Sequence, residues 1–184
     1  MRAVLLFCFL LLPALVPALA RADEPTITVT VGNDTRSFTR SGLLARPDAK
    51  TIQVARDIAY RGPMTYRAVP VASLFAETTL PGDSVIEAVA LNGFVAQLPP
   101  DLLLNTDEGK AVAWLAIELA EHPWPPLPKK DESAGPFYIV WTGAEVGSIR
   151  SEQWPYQMAK QSTAGANSLI ALAICNALNP LALG

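Results

Sequence analysis

Val85-Ile86-Glu87-Ala88-Val89-Ala90-Leu91-Asn92-Gly93-Phe94-Val95-Ala96-Gln97-Leu98 reads as two strands folded back on one another. Val85 to Ala90 and Phe94 to Leu98 flank Asn92-Gly93, and an Asn-Gly pair readily adopts the backbone torsions of a tight hairpin turn. Pro99-Pro100 stops the second strand, because proline cannot donate to a ladder. One helical turn is expected over Asp101 to Leu104. Upstream, Thr26-Ile27-Thr28-Val29-Thr30-Val31 alternates polar and apolar residues with period two, the pattern of a half-buried strand. Gly32-Asn33-Asp34 is turn chemistry, and Thr35 to Phe38 returns as the hairpin partner. Thr39 or Ser41 caps a short helix over Gly42 to Ala45, which ends before Pro47.

The remaining elements follow the same grammar. Lys50 to Val54 reads as a short strand and Met64 to Tyr66 as extended. Pro70 is expected as the first residue of a helix through Val71, Leu74 and Phe75, and Pro81-Gly82-Asp83 as a turn. Ala113 to Leu119 is apolar enough for a buried strand or a helix; a strand is expected, with Glu118 and Glu121 at its far end. His122-Pro123-Trp124-Pro125-Pro126-Leu127-Pro128 has four prolines in seven residues and is excluded from regular structure. Phe137 to Trp141 is a strand with Gly135-Pro136 at its mouth, and Trp154 to Ala159 is expected as another. Many short strands with brief helices imply an α+β domain on a mixed or antiparallel sheet.

Composition narrows the function classes. The 184 residues are 51% hydrophobic and 17% charged, with a formal net charge of −3. Without a basic block there is no footprint for nucleic acid, which needs clustered Lys and Arg to neutralise phosphates. A single histidine excludes a multi-histidine metal site.

Residues 1–20 read as an export signal. Arg2 supplies the positive start, Ala3 to Leu12 an uncharged apolar run, and Ala18-Leu19-Ala20 the small-x-small cleavage pattern; Ala20-Arg21-Ala22 offers a second cut after residue 22. The run falls short of the about 20 residues that span a bilayer, so no stable membrane span is expected after cleavage. In a Gram-negative bacterium the product is periplasmic. Loss of Arg2 takes the net charge from −3 to −4, and Cys8 leaves as well, so Cys175 stands alone and no internal disulfide is expected. The domain is expected over 24–160. Residues 161–184 carry no charge and form an apolar tail, read either as a docked terminal helix or as a hydrophobic appendage.

Catalytic signatures are missing: there is no G-x-S-x-G, no Walker loop, no G-x-G-x-x-G and no C-x-x-C. No catalytic residue is assigned. Cys175 lies among apolar neighbours, the setting of an inert thiol, and His122 reads as a surface residue. Asp107-Glu108 and Asp131-Glu132 read as solvated pairs. Arg56-Asp57-Ile58-Ala59-Tyr60-Arg61-Gly62-Pro63 is the more informative stretch, expected as a loop after a strand. Arg56 and Arg61 could hold an anion, or could join Asp57 in a surface ion network. Trp124, Trp141, Trp154 and Tyr156 could line a pocket, or could be core or a partner-docking surface.

Three segments carry a family resemblance. Tyr66-Arg67-Ala68-Val69-Pro70-Val71-Ala72-Ser73-Leu74-Phe75 is similar to a W-x-G-V-P-L…L-L strand-to-helix step, with Tyr66 in the aromatic position. Ala90-Leu91-Asn92-Gly93-Phe94 is similar to a D-G-Y hairpin, and Gly135-Pro136-Phe137-Tyr138-Ile139-Val140-Trp141 to a G-x-P-L-R-L-V-V strand. In this order the chain resembles the oxidoreductase molybdopterin-binding domain, the sulfite-oxidase-like fold, in its small exported bacterial form. Ser151-Glu152-Gln153-Trp154-Pro155-Tyr156-Gln157 also resembles a feature of the short exported members.

The departures bear on function. The resemblance implies a molybdenum-binding cysteine just after the strand at Thr51 to Val54, where this chain has Ala55-Arg56-Asp57-Ile58-Ala59. Asn92 stands in place of the D-G-Y aspartate, and the arginine of G-x-P-L-R has no counterpart. An alanine cannot replace a soft thiolate ligand. The expectation is therefore an exported sulfite-oxidase-fold domain without a competent molybdenum centre and with no cofactor, acting as a binding or accessory module to a periplasmic redox protein. Two alternatives stand beside it. One is a molybdopterin-dependent oxidoreductase that keeps its cofactor without a thiolate, through Arg56, Tyr60, Arg61 and Asn92. The other is a structural partner-docking protein using His122 to Pro128 and the apolar tail.

Overall fold

The computed structural model describes residues 24–76, 78–80, 84–158 and 171–176. The expected export signal at 1–20, the turn at 81–83 and most of the tail lie outside the described residues.

The alternating N-terminal segment forms β1 (Thr26–Val31), which pairs antiparallel with β2 (Asp34–Thr39) through a two-residue turn closed by Val31 opposite Asp34. Gly32, first in that turn, has a φ of 59°, a torsion that glycine adopts without the Cβ penalty of other residues. Thr39 then caps α1 (Arg40–Leu44), its hydroxyl accepting from the Gly42 amide at 3.0 Å. β3 (Lys50–Asp57) and β4 (Gly62–Pro70) form a second hairpin, and α2 (Val71–Leu74) follows directly. β5 (Ser84–Val89) and β6 (Val95–Leu98) form the third. In its turn the Gly93 amide donates to Ala90 O, and Gly93 takes a φ of 83°. α3 (Pro100–Leu103), β7 (Val112–Ile117) and β8 (Phe137–Thr142) complete the well-packed part, with single 3-10 turns at Val146–Ser148 and Ser151–Gln153. β9 (Ala171–Asn176) is the last described strand.

The strands make two sheets, in the order β2-β1-β9-β5-β6 and β3-β4-β7-β8. All pairings are antiparallel except β1 with β9, so the fold is α+β with mixed and antiparallel sheet. Every residue of β7 is buried, which requires cover on both faces of its sheet. α1, α2 and α3 all pack on β7. Trp141, Tyr66, Tyr138 and Phe137 are the bulkiest fully buried side chains, each contributing about 1.5–3 kcal/mol of burial free energy.

Four expectations need correction. Pro70 is not the first helical residue: it ends β4 and sits as the N-cap of α2, with φ −60° and ψ 130°. Arg56 to Pro63 is not a continuous loop, because β3 runs on to Asp57 and β4 begins at Gly62. Trp154 to Met158 is irregular rather than the strand expected over Trp154 to Ala159. Pro155 has no amide to donate, and Gln157 turns the chain at a φ of 56°. This segment still lies along β8, with Ile139 N donating to Pro155 O at 3.0 Å and Met158 N donating to Phe137 O at 2.9 Å. Finally, the described part of the tail, 171–176, is neither a terminal helix nor an appendage but a strand between β1 and β5. A strand in mid-sheet reads as an unbroken apolar run, which periodicity cannot tell from a buried helix.

Candidate functional site

The parity of β3 decides which of its residues meet solvent. Ile52 and Val54 point inward, and strict alternation would bury Arg56 next. A bulge between Val54 and Asp57 shifts the register against β4 and places Asp57 inside instead. An unpaired guanidinium in the core would be far costlier than a carboxylate supplied with donors.

Asp57, 2% exposed, is supplied with three. Its Oδ1 accepts from the Tyr60 amide at 2.9 Å and from the Tyr138 hydroxyl at 3.2 Å, and its Oδ2 accepts from the Tyr66 hydroxyl at 2.8 Å. Burial raises the Asp57 carboxyl above its ordinary range, although these donors pull the other way. Burial, and then the neighbouring Asp57 charge, push the Tyr66 and Tyr138 hydroxyls far above theirs. The rings around this centre meet edge to face, Tyr66 against Trp124 at 4.8 Å and against Tyr138 at 6.0 Å. Asp57 therefore fixes the 58–61 turn from beneath.

Two depressions border that turn, and a third adjoins them through Trp154 and Tyr156. The largest, about 610 Å³, lies where β3 approaches β8 without pairing to it, between Gln53–Arg56 on one side and Trp141–Gly143 on the other. Val54, Trp141, Ile149 and Trp154 give it an apolar floor. A second, about 180 Å³, is walled by Ile58, Arg61, Leu127, Lys130 and Tyr156. The third, also about 180 Å³, is walled by Asn92, Phe94, Trp154 and Tyr156. Ile58, Trp154 and Tyr156 are the shared walls. The Leu91 amide donates to Gln157 O at 2.9 Å and so ties the β5–β6 turn to the same region.

The four residues nominated from sequence are thus divided among separate places. Arg56 borders the largest depression, Arg61 the second and Asn92 the third. Tyr60 points inward, its hydroxyl accepting from the Ala134 amide at 3.0 Å, and burial pushes that hydroxyl up to about 12. Asn92 spends its side-chain oxygen on the Phe94 amide at 3.0 Å. The expected alternative of an Arg56–Asp57–Arg61 ion network does not form, since Asp57 is directed to tyrosines. Ion pairs among the described residues are Arg46–Asp48 and Arg150–Glu152. Trp141, Trp154 and Tyr156 do line depressions, whereas Trp124 packs on Tyr66. His122 is exposed, as expected.

Two features escaped the sequence reading. One is the Asp57–Tyr66–Tyr138 centre, whose only local clue was the unburiable Arg56 at the next inward position. The other is the indole Nε1 of the buried Trp154, which lacks a hydrogen-bond partner among the described residues. An unmade bond of this kind costs about 1–3 kcal/mol.

The end of β3 does not fit a thiolate-held molybdenum atom. Ala55, Arg56 and Asp57 offer no sulfur there, and Asp57 is consumed by its tyrosines. Cys175 stands in β9, opposite Val85 of β5, in the sheet that does not contain β3. In comparison with known proteins, no family model and no curated protein sequence matches the chain.

Proposed function

We propose that the chain is an exported domain of the sulfite-oxidase-like fold that acts as a binding or accessory module to a periplasmic redox protein, and that it does not hold molybdenum through a thiolate. The observation that carries this reading is the placement of exposed apolar side chains. Ile58, Leu91, Phe94 and Val95 are the large hydrophobic residues exposed among those described. All four lie on or beside the two turns that border Tyr156. Exposed apolar side chains on two turns that share Tyr156, with Arg56, Arg61 and Lys130 beside Ile58, are the composition of a partner-facing patch. The sequence segments that resemble the molybdopterin-binding domain support the choice of fold, and the alanine–arginine pair at the thiolate position supports a non-metal role.

Two measurements test it together. Protein purified from its own host is expected to contain no stoichiometric molybdenum and no pterin fluorescence. In-cell cross-linking is expected to join residue 58 or 94 to a redox protein. Stoichiometric molybdenum with pterin fluorescence would overturn the proposal.

A further inference from the structure

The depression between β3 and β8 has an apolar floor that partner docking leaves unused. We infer that it is a binding site for a small organic anion with an apolar, ring-sized body. This assignment goes beyond the accessory role and does not depend on it: the depression shares Ile58 and Arg56 with the edge of the apolar turns, but its floor of Val54, Trp141, Ile149 and Trp154 belongs to neither turn.

Its volume of about 610 Å³ falls in the range of small-molecule sites, which are mostly apolar with a few polar groups. The gap exists because the four-stranded sheet curls until its edge strands approach: β3 contacts β8 but does not pair with it. The segment after Trp154 covers β8 only from Phe137 to Ile139, so the stretch at Trp141–Thr142 is left facing β3. Val54, Trp141, Ile149 and Trp154 supply a rigid apolar floor.

Arg56 gives the site its charge preference. It is held at the rim by the bulge that turns Asp57 inward, and it makes no ion pair among the described residues. No acidic residue borders the depression. A guanidinium free of carboxylates, beside an apolar aromatic floor, selects an anionic head on an apolar body.

The probe for the test is 1-anilinonaphthalene-8-sulfonate, with the uncharged N-phenyl-1-naphthylamine beside it, titrated into the mature chain by fluorescence. The sulfonate probe is expected to bind once per chain. Arg56→Gln is expected to weaken it roughly fivefold to tenfold, the scale of an exposed charge-assisted contact, while leaving the uncharged probe unchanged. Arg61→Gln, in the neighbouring depression, should change neither. Ala144 is exposed in the wall, so Ala144→Trp fills the space without disturbing the core and should abolish both. The inference is overturned if the sulfonate probe does not bind, if Ala144→Trp binds it as the parent does, or if Arg56→Gln and Arg61→Gln behave alike. These outcomes leave the metal and cross-linking results untouched.

Discussion

The hydroxyl of Tyr66 donates to Oδ2 of Asp57 at 2.8 Å, joining two strands through a bond that neither residue can replace from solvent. Both residues are almost wholly buried. Tyr66→Phe keeps the ring packing against Trp124 and removes only this donor. The expected cost is about 1–3 kcal/mol of unfolding free energy, the worth of a hydrogen bond to a charged group. Urea denaturation measures it, and a loss below about 0.5 kcal/mol would mean that the bond is not formed.

The same centre sets a pH dependence whose sign can be worked out. Burial raises the folded-state pKa of Asp57 above the ordinary 3.8, so the folded chain holds this proton more tightly than the unfolded chain. The associated stability is fully present below 3.8 and is lost as pH rises through the raised value. Asp57→Asn should therefore flatten the decline in melting temperature over that window. An unchanged slope in the variant would assign the effect elsewhere. Tyr60 obeys the same sign at alkaline pH, since its hydroxyl is pushed up to about 12. Absorbance titration at the tyrosinate band should show a step there that Tyr60→Phe deletes.

Gly143 begins the loop that walls the largest depression. Its φ is 102°, and a Cβ at this position would overlap the carbonyl of Lys110. Gly143→Ala meets both a forbidden torsion and a backbone obstacle, and should cost about 2 kcal/mol or more. Thermal unfolding checks it; a neutral result would show that the loop has freedom to move away.

Ile58 is 46% exposed and Phe94 44% exposed. Replacing both with serine removes little internal packing, so unfolding free energy should change by no more than about 0.5 kcal/mol per site. Cross-linking to a redox partner should nonetheless disappear. Retained cross-linking in a folded double variant would detach the apolar turns from the accessory role.

The hairpins were legible because their determinants are local. Val31-Gly32-Asn33-Asp34 and Ala90-Leu91-Asn92-Gly93 carry turn chemistry between alternating residues, and both form where expected. The site was harder to read. Arg56, Asp57 and Arg61 look alike as exposed charges, and the bulge that sorts them depends on pairing with β4. Tyr138 reaches Asp57 across a separation of 81 residues, which no local pattern encodes. Residues 171–176 carry neither alternation nor turn signals, because a strand flanked on both sides needs neither.

The position of that strand has a bearing on the order of assembly. β1 and β5 are made early, yet the strand that joins them comes from residues 171–176. Until it arrives, each presents an open row of amides and carbonyls to any neighbouring chain. A chain clipped ahead of residue 171 would keep both rows bare for good. Proteolysis at that point would leave a product prone to self-association through those rows, with the β3–β8 sheet untouched by the cut.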